Sequence, residues 1–353
     1  MEIGIVGLPN VGKSSLFNAL TKAGAEAQNF PFTTIEPNVG IVNVPDERLD
    51  FLASHYKSAK VVPATIKFVD IAGLVKGASK GEGLGNQFLG HIRACDAIVE
   101  VVRVFDDPNV IHVHGQVDPD NDVTTINTEL LLADVEQATK SLQALEEKIK
   151  RGDKEAVKTK SLLEGAVKLF NNDQPLRTDP TLAAELKAFQ FLTAKPLLYV
   201  ANVSDNSADV SALQTYVNRE AAKLIAVNVK TELEVVDLPD LEQQQFRQEL
   251  GLQSGLDEII RAGYELLDLQ TFFTAGPKEA HAWTITKGTK APQAAGKIHT
   301  DFERGFIRAE VFSVEDLRQL GSEKAIREKG KLRSEGKDYV VRDGDVVEFL
   351  FNV

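Results

Sequence analysis

Near its start the chain reads Gly7-Leu8-Pro9-Asn10-Val11-Gly12-Lys13-Ser14. The spacing is G-x-x-x-x-G-K-[ST], the pattern of a phosphate-binding loop. Glycines at both ends let the backbone curl so that its N–H groups point inward, and the helix that follows adds its positive end. In that arrangement Asn10, Val11, Gly12 and Ser15 belong to the cradle. Lys13 reaches the β- and γ-phosphates, and the Ser14 hydroxyl binds Mg²⁺. The flanks suit the motif. Glu2-Ile3-Gly4-Ile5-Val6 is a short β-branched run into the loop, and Ser15-Leu16-Phe17-Asn18-Ala19-Leu20 continues as an amphipathic helix. Strand, loop, helix is the context in which such a loop holds a nucleoside triphosphate.

At 353 residues the chain has room for two or three domains, and 43% hydrophobic residues are ample for a core. No apolar run reaches about 18 residues, so no membrane span is expected. The first residues form a charged strand rather than a secretory signal. Cys95 is the single cysteine. No intrachain disulfide is possible, which suits a cytoplasmic protein. Just ahead of an apolar strand, Cys95 reads as a buried, inert thiol, with a reactive one as the alternative. A net charge of −12 argues against non-specific nucleic-acid binding by the whole molecule. The charge is uneven, however. From Thr271 onward there are 14 Lys and Arg against 13 Asp and Glu, so the remainder carries all of the acidic excess.

Strand-like runs at Val39–Val44, Thr65–Val69, Ala97–Val102, Pro196–Ala201 and Leu224–Val229 alternate with helical patterns. This predicts an α/β fold with a mostly parallel sheet covered on both faces. The middle has another texture. Leu131, Val135, Ala138, Leu142, Leu145 and Ile149 form an a/d seam. Arg151-Gly152-Asp153 supplies a helix stop and a new N-cap, and Ala156, Leu163, Val167 and Phe170 mark one face of a second helix. The pattern predicts a projecting coiled-coil hairpin, with two ordinary core helices as the alternative. Beyond Phe272, short runs at Trp283–Thr286, Gly305–Val311, Tyr339–Val341 and Val346–Phe351, with a capped helix start at Ser313, predict a small α+β domain.

Asp70-Ile71-Ala72-Gly73 closes the Thr65–Val69 strand as D-x-x-G. In nucleotide switches such an Asp orients a metal-bound water, and the glycine N–H meets the γ-phosphate. Between the two motifs, Phe30-Pro31-Phe32-Thr33-Thr34 fits a first switch segment, with Thr34, or failing that Thr33, as a second Mg²⁺ ligand. Leu74 follows the D-x-x-G, where many switch GTPases carry a water-positioning glutamine. Gly77, Gly81, Gly83 and Gly85 predict a mobile second switch. His112 and His114 are candidates to supply the missing water-orienting group, or are ordinary loop histidines. After the Pro196–Ala201 strand comes Asn202-Val203-Ser204-Asp205, a base-reading N-K-x-D motif with Val203 in place of its lysine. These residues alone leave ATP against GTP open. So does the choice between an enzyme and a nucleotide-sensing adaptor in which hydrolysis is incidental.

The chain resembles the YchF branch of the Obg-like ATPases, among the translation-factor-related P-loop proteins. The resemblance rests on Gly7–Ser14, Asn29–Thr34, Asp70–Val75, Gly81–Asn86 and Ala291–Phe302, and spans nearly the whole chain. It implies an Obg-type nucleotide-binding domain over residues 1–125 and 195–270. A helical coiled-coil insertion over 126–194 and a C-terminal TGS (ubiquitin-like) domain over 271–353 complete the expected architecture. It further implies Mg²⁺-dependent binding and hydrolysis of ATP in preference to GTP, and association with the ribosome through its large subunit. Lys13, Asp70, Gly73 and His112 fall at catalytic positions, and Asn202 and Val203 contact the base. Ser14 and Thr34 hold Mg²⁺, and Asn10 matches an asparagine that binds K⁺ in related NTPases. Asp205 stands where the family carries glutamate. RNA contact through Lys287, Lys290, Lys297, Arg304 and Arg308 is a secondary expectation, with a solvated charged face as the alternative.

Overall fold

A computed structural model of the chain describes residues 1–23, 38–73, 84–111, 115–205, 208–250 and 254–352. The strands are β1 (Glu2–Val6), β2 (Val39–Asn43), β3 (Val61–Val62), β4 (Thr65–Asp70), β5 (Ala97–Arg103), β6 (Leu197–Asn202), β7 (Lys223–Val227), β8 (Leu269–Ala275), β9 (Ala280–Thr286), β10 (Phe306–Ser313), β11 (Arg333–Glu335) and β12 (Asp345–Phe351). The chain separates into two compact units: Met1–Ile41 with Lys67–Ile259, and Val42–Ile66 with Ile260–Val353.

The first unit is built on a sheet of order β2-β4-β1-β5-β6-β7. From β4 through β7 every pairing is parallel. All residues of β5 and β6 are buried, which is why these strands are largely apolar, with Glu100, Arg103 and Asn202 as the polar exceptions. From β1 the chain goes out to β2 and back to β4 on one side, and then crosses to β5 on the other. Ligands of open α/β sheets lie at such a reversal, beyond the carboxyl ends of the strands. The phosphate-loop sequence begins just there.

The helix Pro119–Lys150 runs 32 residues, starting earlier than the seam alone indicates. Its first turns carry the buried Val123, Ile126 and Leu130. From Leu131 onward it packs through Leu131, Ala138 and Leu142 on Leu163, Ala166 and Phe170 of the helix Lys154–Phe170. Gly152 makes the turn at φ 83°, where a Cβ would strain the backbone. Asp153 then caps the second helix by accepting from Glu155 N at 2.9 Å and Ala156 N at 3.2 Å. Asp134 fixes the base of this hairpin. Its fully buried carboxylate accepts from the backbone N–H groups of Leu192 and Thr193 and from the Thr193 hydroxyl, at 2.7–2.9 Å. Burial outweighs these bonds and raises its pKa to about 6.

The second unit holds a mixed sheet of order β11-β10-β12-β8-β9-β3. The helix Ala291–Ile298 covers it through Ala291, Ala294 and Ala295, against Phe272, Ile285 and Phe349. Its edge strand β3 comes from the segment between the two sequence motifs, pairing Val61 with Ala280 in parallel. The helix Glu47–Tyr56 of the same segment is tied down by Arg48, which bonds Asp46 and donates to Asp343 Oδ2 at 2.6 Å. Thus residues 42–66, inside the 1–125 span expected for nucleotide binding, pack with the C-terminal residues instead. Two strand expectations also shift. Tyr339–Val341 makes only an isolated bridge, Val340 to Lys290. The last strand of the first sheet ends at Val227, because the Asn228 side chain accepts from Thr231 N at 3.0 Å and starts a helix.

Candidate nucleotide-binding site

The loop leaves β1 at Gly7 and enters the helix Lys13–Ala23 with Leu16 N donating to Gly12 O at 2.9 Å. Its apolar residues Leu8 and Val11 are buried and anchor it to the core. Gly12 has φ 101°, and a Cβ there would stand 2.4 Å from Asn202 Nδ2, so only glycine fits. Asn10 adopts the left-handed region at φ 63° and donates from Nδ2 to Ile111 O at 3.1 Å.

Lys13 is 8% exposed, and its ammonium donates to Leu8 O at 2.7 Å. Burial lowers its pKa to about 8, with the Asp70 carboxylate pulling the other way. Ser14 Oγ donates to Asp70 Oδ2 at 2.8 Å. Parallel register sets Asp70 beside Ile5, at the carboxyl end of the strand that feeds the loop. Gly73 approaches the same place: a Cβ there would lie 3.0 Å from Lys13 Nζ and 3.3 Å from Pro9 N. A hydroxyl and a carboxylate oxygen meeting at the mouth of an amide cradle are hard donors, the set that Mg²⁺ takes, so these residues fit that ion.

A cavity of about 650 Å³ opens on the helix end, lined by Lys13, Ser14, Phe105, Asn202, Val203 and Val229 among others. Asn202 holds its walls together. Its side chain donates to Val11 O at 3.0 Å and accepts from Val229 N at 3.2 Å. Its backbone carbonyl accepts from Val104 N at 2.9 Å and Phe105 N at 3.1 Å. Ser204 Oγ donates to Asp205 Oδ2 at 3.2 Å.

The structure therefore brings Asn10, Val11, Gly12, Lys13, Ser14, Asp70, Gly73, Asn202 and Val203 into one neighbourhood. Thr33, Thr34, Leu74, His112 and His114 lie outside the described residues. Cys95 is buried, its thiol near His91 O at 3.4 Å and its pKa pushed up by burial to about 11. In the C-terminal unit Lys287, Lys290, Arg304 and Arg308 each pair with a carboxylate, of Asp268, Asp338, Asp301 and Glu310 respectively. Sequence reasoning missed Arg103 and the loop 104–111, which forms a wall of the cavity. A basic residue closing a buried strand whose other residues, Glu100 apart, are apolar was the available signal.

A parallel sheet reversing at β1, a glycine loop running into a helix, and Lys13, Ser14 and Asp70 at its mouth define a P-loop nucleoside-triphosphatase domain. Residues 2–157 match the family model described as a 50S ribosome-binding GTPase. Residues 269–352 match that of the YchF GTPase C-terminal region, described as a protein of unknown function. The ribosome-binding ATPase YchF of Escherichia coli O157:H7 is 54% identical over 361 residues, covering 100% of this chain and 99% of that one. Its namesake in Bacillus subtilis is 52% identical, with both chains fully covered. Obg-like ATPase 1 of Xenopus laevis is 46% identical, covering 100% and 92%. The solved YchF GTPase of Schizosaccharomyces pombe superposes with a TM-score of 0.90 at 39% identity, covering 99% of this chain and 97% of that one. The chain belongs to the YchF family.

Proposed function

We propose that this chain is a cytoplasmic, Mg²⁺-dependent switch that binds and hydrolyses ATP in preference to GTP and associates with ribosomes. The observation that carries the reading is the Ser14–Asp70 pair at 2.8 Å beside the Lys13 ammonium, on the cradle described above. The bacterial relatives named as ribosome-binding ATPases support the nucleotide and the partner.

In this reading Ser14, with Thr34, would hold Mg²⁺, and Asp70 would orient the ion's water. The ion, when bound, neutralises phosphate charge. Lys13 turns from Leu8 O to the β- and γ-phosphates, and the amides of Asn10 to Ser15 line the chain of phosphates. The Gly73 N–H meets the γ-phosphate, and His112 orients the attacking water in place of the glutamine that Leu74 lacks. Asn10 is the K⁺ candidate. Val203 lies against the base, and Asn202 fixes the wall behind it. With no lysine at position 203 and the Asp205 carboxylate accepting from Ser204, guanine finds a weaker match, which supports ATP. RNA contact by the C-terminal unit is secondary, since most of the basic residues concerned are already ion-paired.

Calorimetric titration with Mg·ATP and Mg·GTP tests the base, with tighter ATP expected. Lys13→Ala is expected to abolish hydrolysis, and a wild-type rate in that variant sinks the assignment. Leu74 favours a second reading, an adaptor with incidental hydrolysis. Single-turnover rates with and without ribosomes separate the two, strong stimulation favouring the switch.

A further inference from the structure

Arg103 ends β5 with its side chain sealed in the interior; it is 1% exposed. Buried charge is costly unless its donors are met. Here they are met by the loop that follows. Nε donates to Phe105 O at 3.2 Å, Nη1 to Val110 O at 3.0 Å and Nη2 to Asp107 O at 3.3 Å. The guanidinium also lies over the Phe105 ring, 4.4 Å from its centroid. Among the described residues its hydrogen-bond partners are all main-chain carbonyls. The chain thus wraps 104–111 around one planar cation, and a fork of donors fixes the direction of three peptide groups at once.

The same loop faces the cavity through Phe105, Asp106, Asp107 and Val110. Besides Arg103, the loop is tied by Val104 N and Phe105 N to Asn202 O, at 2.9 and 3.1 Å, and through Asp107 and Ile111. Asp107 Oδ1 accepts from Asn109 N at 2.8 Å and from Asn109 Nδ2 at 3.1 Å. Asn10 reaches Ile111 O from the phosphate loop. In the reading above the amides of residues 10–15 take the phosphates, and Phe105, Asp106, Asp107 and Val110 line the same cavity as Val203, the residue assigned to the base. The loop's task is therefore with the nucleoside rather than with the phosphates.

We propose that Arg103 is a positioning residue for the nucleoside half of the substrate: from beneath the loop it holds the wall of Phe105 to Val110 in shape without touching the ligand. The inference rests on the reading of the cavity as the nucleoside-triphosphate site. Lysine at this position keeps the charge but offers one tetrahedral ammonium in place of a planar fork, and it cannot satisfy three spread carbonyls or stack on the ring.

The test compares wild type with Arg103→Lys for binding of Mg·ATP and of Mg·tripolyphosphate by calorimetry, with KM and kcat measured alongside. The expected result is a split. ATP affinity falls about tenfold, the equivalent of one or two lost charge-assisted hydrogen bonds, and KM rises in step. Tripolyphosphate affinity and kcat stay within about twofold. Unchanged ATP affinity overturns the proposal, and so does an equal loss for both ligands, which places the damage in the phosphate cradle. Asn109→Ala loosens the same loop from an exposed side chain outside the cavity. It should give the same split at about two- to fivefold, and no split there also overturns the proposal. Wild type that binds neither ligand refutes the nucleotide reading itself, an outcome distinct from any result with the variants.

Discussion

Raising the pH from 7 to 9 should weaken triphosphate binding through one group, Lys13. In the free protein burial holds its pKa down to about 8. About 90% of the side chain is protonated at pH 7 and about 10% at pH 9. A triphosphate along the loop brings negative charge against the ammonium and lifts the bound-state pKa to at least the ordinary lysine value of about 10.4. Binding above pH 8 then requires uptake of a proton. The association constant should fall about tenfold between pH 7 and 9, or about 1.4 kcal/mol, and stay flat from pH 7 to 7.5. Phosphate groups titrate near pH 6, below this window. Calorimetry in two buffers of different ionisation enthalpy reads the proton directly: about 0.1 per nucleotide bound at pH 7 and about 0.9 at pH 9. Lys13→Arg, always charged, should lose the pH dependence. Equal affinity at both pH values with no proton uptake would show that the Lys13 ammonium is not desolvated as described.

Asn202→Ala strips a partner from Val11 O and from Val229 N. It should cost about 2–4 kcal/mol in urea unfolding, and an unchanged midpoint refutes the bridging role. Asp134 binds its proton more tightly folded, at about 6, than unfolded, at about 3.9, so its contribution lowers stability as pH rises through that interval. The stability of Asp134→Asn relative to wild type should therefore improve from pH 4 to 6.5, by at most about 3 kcal/mol. Thermal melts across that range check it, and a flat or falling difference counts against it. A fragment of residues 269–353 should unfold less cooperatively than one supplemented with a peptide of residues 42–66, because β3 and Arg48 are missing from it. Identical melts with and without the peptide refute the shared sheet.

Local signals carried much of the molecule. The glycine loop, the D-x-x-G, the apolar strands and the a/d seam each depend on residues a few positions apart, so their spacing in sequence is their spacing in space. What escaped depends on distant partners or on side chains competing with the backbone. Val61 and Val62 pair with residues more than two hundred positions away, and nothing in a two-residue strand says which sheet it joins. Tyr339–Val341 has strand residues, but the Asp345 carboxylate accepts from Arg342 N at 2.8 Å and from the Tyr339 hydroxyl at 2.6 Å, which bends the segment into a turn. Asn228 ends a strand in the same manner. At the site, the motif residues were legible because their chemistry is their signature. Arg103 was not, because its ligands are carbonyl groups, which every residue carries alike.

The place of residues 42–66 in the C-terminal sheet bears on how the protein is made. This piece is synthesised early, yet β8, β9 and Asp343 follow it by about two hundred residues and more. At translation speeds of about 5–20 residues per second it waits some 10–40 s outside the ribosome before the first of those strands exists. During that interval the apolar side of its helix, with Leu49 and Leu52, has no home, and the nascent chain offers it to chaperones.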